Sequence, residues 1–253
     1  SGCGKTTLMR MVNAMVTPTS GTVFVRGQDV AGEDPVRLRR SIGYVLQEGG
    51  LFPHRTIADN VATVPRLEGA SKQASRERAL ELLELVGLET EMADRYPAQL
   101  SGGQRQRVGV ARALANRADI LLMDEPFGAL DPLVRADLQR ELKEIQRALG
   151  TTILFVTHDV DEAFTLGDQV AVLSTGGRIE QVGAPAELLT APTSPFVADF
   201  VGASRAARPV RVSGPGGLVV DEAGTPVGTL TQGGHEASTP SGASPAPVRG
   251  GRP

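Results

Sequence analysis

Apolar and polar residues alternate along the chain in a way that predicts strands separated by helices. Three short, continuous apolar runs lie at 120–123, 153–156 and 170–173. They are too short and too continuous for amphipathic helices, so we expect strands that are buried on both faces, as in a parallel sheet covered by helices. A strand, a helix and a second strand predict an α/β fold. Apolar residues at steps of three and four predict the intervening helix: Val134, Leu138, Leu142, Ile145 and Leu149.

The pattern also divides the chain into regions. From about 56 to 115 it is almost wholly helical, which predicts a helical subdomain inserted in an α/β domain of residues 1–202. One face of this block is apolar: Ala79, Leu82, Leu83 and Val86. Gly and Pro make up about a third of residues 203–253, a composition that predicts a mostly disordered tail. Within that tail, two β-prone runs at 218–231 flank a turn signal and predict a hairpin.

Composition narrows the class of protein. The chain has 253 residues, a formal net charge of −3 and a single cysteine. One cysteine excludes a disulfide framework and a cysteine-based metal cluster. The near-neutral charge without a dense basic run argues against a free-standing nucleic-acid binder, so we expect no nucleic-acid partner. No stretch reaches the ~18 apolar residues of a membrane-spanning helix.

The segment "SGCGKTT" at residues 1–7 has the last three fixed positions of the phosphate-binding loop GxxxxGK[ST]. Gly2 and Gly4 would let backbone N–H groups turn toward a phosphate. Lys5 would place a charge on the β- and γ-phosphates, and the Thr6 hydroxyl suits Mg²⁺. A helix predicted from 7 to about 16 would add its N-terminal dipole. The alternative is a Gly-rich turn before an ordinary helix.

Two predicted strands end in residues that carry chemistry. The run at 120–123 leads into Asp124 and Glu125, and the run at 153–156 leads into His158. Ligands of open α/β sheets bind at the carboxyl ends of strands. We therefore expect Asp124 to hold Mg²⁺, usually through water, Glu125 to polarise an attacking water, and His158 to contact the γ-phosphate. The alternatives are a pair of solvated acids and a structural histidine.

The motif "LSGGQ" at residues 100–104 is the most specific in the chain. Ser101, Gly102 and Gly103 would offer a hydroxyl and unobstructed amides at the start of a helix, which makes a second anion site. The alternative is a helix start capped by Ser101.

In this order, the motifs resemble those of the ATP-binding-cassette (ABC) ATPases, from Ser1 to about Gly202. The resemblance implies a P-loop NTPase fold with a mostly parallel sheet, binding of ATP and Mg²⁺, and ATP hydrolysis. It assigns Glu125, His158 and Gln47 to catalysis, and Thr6, Gln47 and Asp124 to the metal. It also implies nucleotide binding by a larger set: Ser1, Gly2, Cys3, Gly4, Lys5, Thr6, Thr7, Ser101, Gly102, Gly103, Gln104 and Asp131.

Members of this family dimerise head to tail, so the resemblance implies a homodimer in which Ser101 and Gly103 close on the ATP held by the other chain. The sequences of residues 34–69, 94–115 and 156–173 look most like those of importers of quaternary amines such as glycine betaine, choline and carnitine. Membrane permease subunits, an indirectly acting solute-binding protein and a peripheral position on the cytoplasmic face are implied with it. The alternatives are an importer of another small solute, such as an amino acid, an ABC ATPase acting on DNA or ribosomes, and an inactive truncated fragment.

The phosphate loop is incomplete, because its first glycine would lie three residues before Gly2. The resemblance implies that the strand feeding this loop, and an aromatic residue that stacks on adenine, lie further upstream. We therefore expect a longer natural protein. The hairpin at 218–231 resembles a remnant of the CBS modules that regulate some betaine importers.

Overall fold

The computed structural model describes residues 2–202, 211–213, 218–220 and 226–229. The chain divides into two units, Ser1–Ala203 and Ser204–Pro253. The described helices are α1 (Lys5–Val12), α2 (Pro35–Ser41), α3 (Ile57–Val61), α4 (Thr63–Leu67), α5 (Lys72–Leu85), α6 (Gly102–Leu114), α7 (Pro132–Leu149), α8 (Val160–Leu166), α9 (Pro185–Thr190) and α10 (Pro195–Val201). The described strands are β1 (Phe24–Val25), β2 (Gln28–Asp29), β3 (Ile42–Val45), β4 (Ile120–Asp124), β5 (Thr152–Val156), β6 (Val170–Leu173), β7 (Ile179–Gly183), β8 (Arg211–Ser213), β9 (Leu218–Val220) and β10 (Pro226–Thr229).

A parallel sheet with the strand order β3-β4-β5 forms the centre of the first unit. On β4, Leu121 and Met123 pack into the core formed with α3, α5 and α6, while Leu122 faces the opposite core beside α1 and α2. All three side chains are almost fully buried. The prediction of a strand buried on both faces is therefore confirmed for β4.

The same prediction is wrong for the other two apolar runs. On β5, Leu154 is 42% exposed, because β5 is the last strand in the order of its sheet and only one of its edges has a described strand partner. β6 pairs antiparallel with β7 and not with the parallel sheet, and only Val172 among its residues is buried. Apolar continuity alone therefore did not distinguish a central strand from these two.

Two predicted helices have different bounds or faces in the structure. The first begins at Lys5 instead of residue 7 and ends at Val12, because Asn13 leaves the helical conformation and Ala14 has φ 55°. In α7, Leu138, Leu142 and Ile145 are buried as predicted, whereas Leu149 is 47% exposed at the last turn.

Helices α3, α4, α5 and α6 fill most of residues 57–114, with 3₁₀ turns at Thr90–Asp94 and Pro97–Gln99. Their apolar face packs with β3, β4 and α7 into the largest apolar core among the described residues. Ala79, Leu82, Leu83 and Val86 are all buried there, as the periodicity predicts. Because α6 also contacts β3 and the turn after it, this helical block is attached directly to the sheet edge that carries Gln47.

In the second unit, β9 and β10 pair antiparallel, and β8 adds to β9. The turn of the predicted hairpin and the remainder of the predicted tail lie outside the described residues. Among the described helices, none is both long and apolar enough to cross a membrane.

Candidate nucleotide site

The start of α1 has a backbone geometry that only glycine adopts easily. Gly2 has φ 87° and Gly4 has φ 94°, both in the left-handed region. Gly4 is the N-cap of α1 and has no side chain that could accept a hydrogen bond from the first amides of the helix. These amides are therefore available to an acceptor from outside the helix. Lys5 lies at the first helical position, with Nζ 3.6 Å from Cys3 Sγ, while Ser1 lies outside the described residues.

The Thr6 side chain joins this helix to the end of β4. Its hydroxyl donates to Asp124 Oδ1 at 2.9 Å. Asp124 is the last residue of β4, so the carboxyl end of the central strand and the first turn of α1 meet at one point. Two oxygen side chains of the kind that Mg²⁺ prefers thus lie together beside Lys5.

Glu125 and His158 form a second contact at the same edge of the sheet. Glu125 has φ 46°, and its N–H donates to the Val156 carbonyl at 2.9 Å, which ties the end of β4 to the end of β5. Its Oε2 lies 3.3 Å from His158 Nδ1. A left-handed conformation is strained for a glutamate, and such strain is typical of functional positions. The predicted base and the predicted phosphate-contacting histidine are therefore neighbours.

Gln47 also reaches this edge, at the end of β3. It begins the 3₁₀ turn Gln47–Gly50. A Cβ added to Gly128 would lie 3.6 Å from Gln47 Nε2 and 3.7 Å from Glu125 Oε2. The side chains of Gln47 and Glu125 therefore border the same space, which the glycine leaves open.

The residues of the LSGGQ motif, called the signature from here on, form a capped start of α6. Ser101 is the N-cap: its Oγ accepts from the Gln104 N–H at 3.2 Å, and Gln104 Oε1 accepts from the Ser101 N–H at 2.9 Å. This is a reciprocal capping box, so the capped-helix alternative describes the side chain of Ser101 correctly. Gly103 is required by packing as well, because a Cβ there would lie 2.6 Å from Val134 Cγ1 on α7.

Asp131 caps a different helix. Its Oδ1 accepts from the Val134 N–H at 3.1 Å and so begins α7. The preceding Leu130 lies beside the signature, since a Cβ on Gly102 would be 3.6 Å from Leu130 Cδ2. The segment around Asp131 therefore lies next to the start of α6.

The predicted residues consequently fall into two groups within one chain. One group lies at the carboxyl ends of the parallel strands and consists of Lys5, Thr6, Asp124, Glu125 and His158, with Gln47 beside them. The signature residues lie at the start of α6, and in the described part of the chain no hydrogen bond or ion pair connects them to the first group. Thr7 has no side-chain contact of its own among the described hydrogen bonds.

Sequence reasoning missed the attachment of the Gln47 turn to α6. The Arg112 side chain donates to the Gly49 and Gly50 carbonyls at 2.8 Å each, and burial lowers the pKa of this guanidinium. Gly49 and Gly109 touch closely, since a Cβ on Gly109 would be 2.9 Å from Gly49 Cα. The two adjacent glycines at 49–50 indicate a tight turn. Their contact with Arg112, 62 residues after Gly50, could not be predicted from the spacing of residues along the sequence.

A family model described as ABC transporter matches residues 1–128 of this chain. The chain belongs to the ABC transporter family. The matched range contains the phosphate loop, Gln47, the LSGGQ motif, Asp124 and Glu125, whereas Asp131 and His158 lie after its end.

Several curated relatives carry names from importers. The chain is 53% identical over 205 residues to the carnitine transport ATP-binding protein OpuCA of Listeria monocytogenes, covering 81% of this chain and 51% of that protein. It is also 53% identical over 205 residues to the glycine betaine/carnitine/choline transport ATP-binding protein OpuCA of Bacillus subtilis, covering 81% and 54%. The spermidine/putrescine import ATP-binding protein PotA of Frankia alni is 47% identical over 231 residues, covering 89% and 49%. The chain thus spans about half the length of these relatives.

A solved cassette has the same fold. The dimeric, post-hydrolysis structure of the ATP-binding cassette MJ0796, bound to ADP and Pi, superimposes with a TM-score of 0.64 at 35% identity. The superposition covers 72% of this chain and 81% of that one. The fold of residues that match is therefore the P-loop ABC ATPase fold, as expected from the motifs.

Proposed function

We propose that this chain binds and hydrolyses ATP as the energising subunit of an importer for quaternary amines. One observation carries the proposal: Thr6 contacts Asp124 at 2.9 Å, and Glu125 contacts His158 at 3.3 Å, at the same edge of the parallel sheet. Phosphoryl transfer to water needs phosphate and metal ligands together with groups that orient and activate the water. Here the start of α1 and the carboxyl ends of β4 and β5 bring such side chains together.

The residues at the start of α1 would hold the triphosphate. The first amides of α1, the Lys5 ammonium and the Thr7 hydroxyl would donate to phosphate oxygens, and the helix dipole would add to their field. The Thr6 hydroxyl donates to Asp124 and would reach the phosphates through the metal ion. In phosphoryl transfer the protein contributes mostly positioning and charge neutralisation. Glu125 would accept the proton of the attacking water, while His158 would hold that water and the γ-phosphate in line.

The same edge also fits a magnesium ion that arrives with the nucleotide. Thr6 and Asp124 supply hard oxygen ligands 2.9 Å apart, and Gln47 would sense the ion from the end of β3. Mg²⁺ normally retains several waters and takes phosphate oxygens as further ligands. When bound, it would neutralise charge on the β- and γ-phosphates.

The separation of the signature from this edge supports a composite site. In the head-to-tail homodimer that we propose, Ser101, Gly102, Gly103 and Gln104 of one chain close on the ATP held by the other. Asp131 lies beside the signature through Leu130 and would border the same junction. Closing the dimer would add the signature donors of the second chain around the transferred phosphate. Donors that are fixed in place before the reaction stabilise the charge that develops in the transition state.

The proposed partners follow from the proposed transport role. Permease subunits in the membrane would dock on the surface after Gln47, at the cytoplasmic face, and a solute-binding protein would act indirectly. The relatives named for carnitine, glycine betaine and choline support quaternary amines as the cargo. The polyamine relative, at 47% identity over a longer alignment, supports a second candidate cargo, a polyamine such as spermidine.

Steady-state ATP hydrolysis by the full chain tests the enzymatic part. We expect E125Q to lower kcat by about 10²- to 10⁴-fold, the range of general-base catalysis, and to trap an ATP-bound dimer seen by size-exclusion chromatography with light scattering. E144Q, an equivalent change on α7 away from the sheet edge, is the control and should behave like wild type. Unchanged turnover in E125Q would contradict the assignment of the base.

Uptake into proteoliposomes that contain the permease subunits tests the cargo. ATP inside the vesicles should drive accumulation of labelled choline, carnitine or glycine betaine, and E125Q should abolish it. Accumulation of labelled spermidine in place of these amines would support the polyamine candidate and overturn the quaternary-amine proposal.

A further inference from the structure

One arginine on α7 contacts two segments near the proposed nucleotide site: the one before α7 and the one that contains His158. Arg135 lies one turn after Asp131, and its Nη2 donates to the Leu130 carbonyl at 3.3 Å. Its Nη1 lies 3.4 Å from Asp159 Oδ2. A single guanidinium therefore connects the segment before α7 with the segment that contains His158.

The same guanidinium faces a buried carboxylate. Arg135 Nε lies 3.7 Å from Glu162 Oε1, and the Glu162 side chain is only 5% exposed. Glu162 Oε2 accepts from the Thr157 hydroxyl at 2.6 Å, and Thr157 Oγ1 in turn accepts from the Asp159 N–H at 3.0 Å. A buried carboxylate is retained only with a cation and hydrogen-bond donors, and these residues supply both.

His158 lies between the two residues that this network holds. The imidazole is 62% exposed, and its described polar contact is with Glu125. Little packing fixes the ring, so the backbone on either side must set its direction. Thr157 on one side is bonded to Glu162, which faces Arg135 at ion-pair distance without a hydrogen bond. Asp159 on the other side is bonded to Arg135 through Oδ2 and caps α8 through Oδ1.

We propose that Arg135 is a positioning residue for His158, which aligns the histidine with the segment around Asp131. The inference rests on the proposed ATPase function for its kinetic consequence, but the geometric part stands on the contacts alone. Arg135 touches no predicted phosphate ligand and acts through Glu162, Thr157 and Asp159. The planar guanidinium makes three differently directed contacts, which a lysine ammonium cannot reproduce.

Histidine NMR of the nucleotide-free full chain tests the geometric part without requiring turnover. The chain has three histidines, and H158Q identifies the His158 imidazole signal by its loss. We expect R135M to shift or broaden that signal and R135K to restore it in part. R140M is the matched control, since Arg140 lies on the same helix in an exposed pair with Asp137. An unchanged His158 signal in R135M would overturn the proposal.

Kinetics test the consequence for catalysis. We expect R135M to lower kcat for ATP hydrolysis by about 10- to 100-fold, the scale of a misplaced reacting group, with KM for ATP changed less than about twofold. In an H158A background the same substitution should change kcat less than about twofold, because its target is gone. An equal loss in both backgrounds would mean that Arg135 acts independently of His158 and would overturn the proposal.

A second variant tests whether the effects of R135M come only from a loss of folding. R135M leaves Glu162 buried without its cation, so R135M/E162Q repeats both measurements in a chain that has no orphaned carboxylate. The double variant should show the same displaced His158 signal and the same loss of kcat with an intact thermal unfolding transition. A normal signal and normal kcat in the folded double variant would contradict the proposal. If the wild-type chain hydrolyses no ATP, the proposed function fails, while the NMR measurement still decides the positioning role.

Discussion

The starts of α1 and α6 are both glycine-containing helix N-termini, but their donors are used differently. At α1 the N-cap is Gly4, which has no side chain to accept from the first amides. At α6 the Ser101 hydroxyl accepts from the Gln104 backbone N–H, and the Gln104 side chain accepts from the Ser101 backbone N–H. The first helix start also lies against Asp124 through Thr6, whereas the second lies against α7 through Gly103.

This difference indicates that the two motifs have different roles in nucleotide binding. At the start of α1 no N-cap side chain accepts from the first backbone amides, and the Lys5 ammonium lies beside them. The capped start at α6 is stable without a ligand and has the remaining amides of Gly102 and Gly103 to offer. The first is therefore expected to bind nucleotide within a single chain, and the second to contribute when a nucleotide is brought to it by another chain.

The largest expected effect is at the signature. S101D preserves the N-cap, since aspartate caps helices as well as serine, but places a carboxylate where the phosphate would approach. Repulsion of about 4 kcal/mol at contact distance predicts a roughly thousandfold loss of ATP turnover. Affinity of the isolated chain for MgATP should stay unchanged, as measured by calorimetry. S101N, a neutral cap of similar size, is the control, and a comparable collapse in S101N would show that charge is not the cause.

A smaller effect is expected at the start of α1. K5M removes the ammonium and with it charge-assisted bonds of about 1.5–3 kcal/mol, so MgATP affinity should fall by about 10- to 150-fold. The measurement is Kd by calorimetry at fixed ionic strength. K72M, at the first position of α5, is a matched control for removing a lysine from a helix start. An affinity in K5M equal to that of K72M would remove the asymmetry between the two helix starts.

The smallest effect lies away from both helix starts, at the Arg26–Asp119 ion pair. The hydrogen bonds from Arg26 hold the pKa of Asp119 below its ordinary value of 3.8. A lowered folded-state pKa stabilises the fold above pH 4 and ceases to do so as pH falls through the folded value. D119N should therefore cost less than about 1 kcal/mol near pH 7, as for exposed pairs. The difference from wild type should shrink below pH 4, with MgATP affinity unaffected.

Chemical denaturation at several pH values checks this prediction. If D119N bound MgATP more weakly than wild type at pH 7, the amino end of β4 would also influence nucleotide affinity at its carboxyl end. A stability difference that grows as pH falls would give the wrong sign for a lowered pKa and would exclude the pair as its cause.

Motifs with fixed spacing could be interpreted from the sequence because their chemistry is local. The phosphate loop places Lys5 and Thr6 at the first turn of a helix, and the run ending in Asp124 places a carboxylate at a strand end. The carboxyl ends of neighbouring parallel strands meet, so proximity of Glu125 and His158 followed from the fold class. The family match and the shared cassette fold agree with this interpretation.

Contacts between distant segments could not be predicted in the same way. Arg112 clamps the Gly49–Gly50 turn from 62 residues downstream, and Arg135 reaches Asp159 across 24 residues. An arginine on a helix has no spacing rule that identifies its partner. The exposure of Leu154 was missed for a related reason: a continuous apolar run is the same in a central strand and in an edge strand, and only strand order separates them.

Complementation between two variants tests the composite-site account most directly. K5M lacks a working α1 start but has an intact signature, and S101D has the opposite defect. Mixed in equal amounts, they should form heterodimers in which one site combines Lys5 of one chain with Ser101 of the other, and ATP turnover should rise to roughly a quarter of the wild-type rate. A mixture no faster than the mean of the two separate variants would contradict a site shared between two chains.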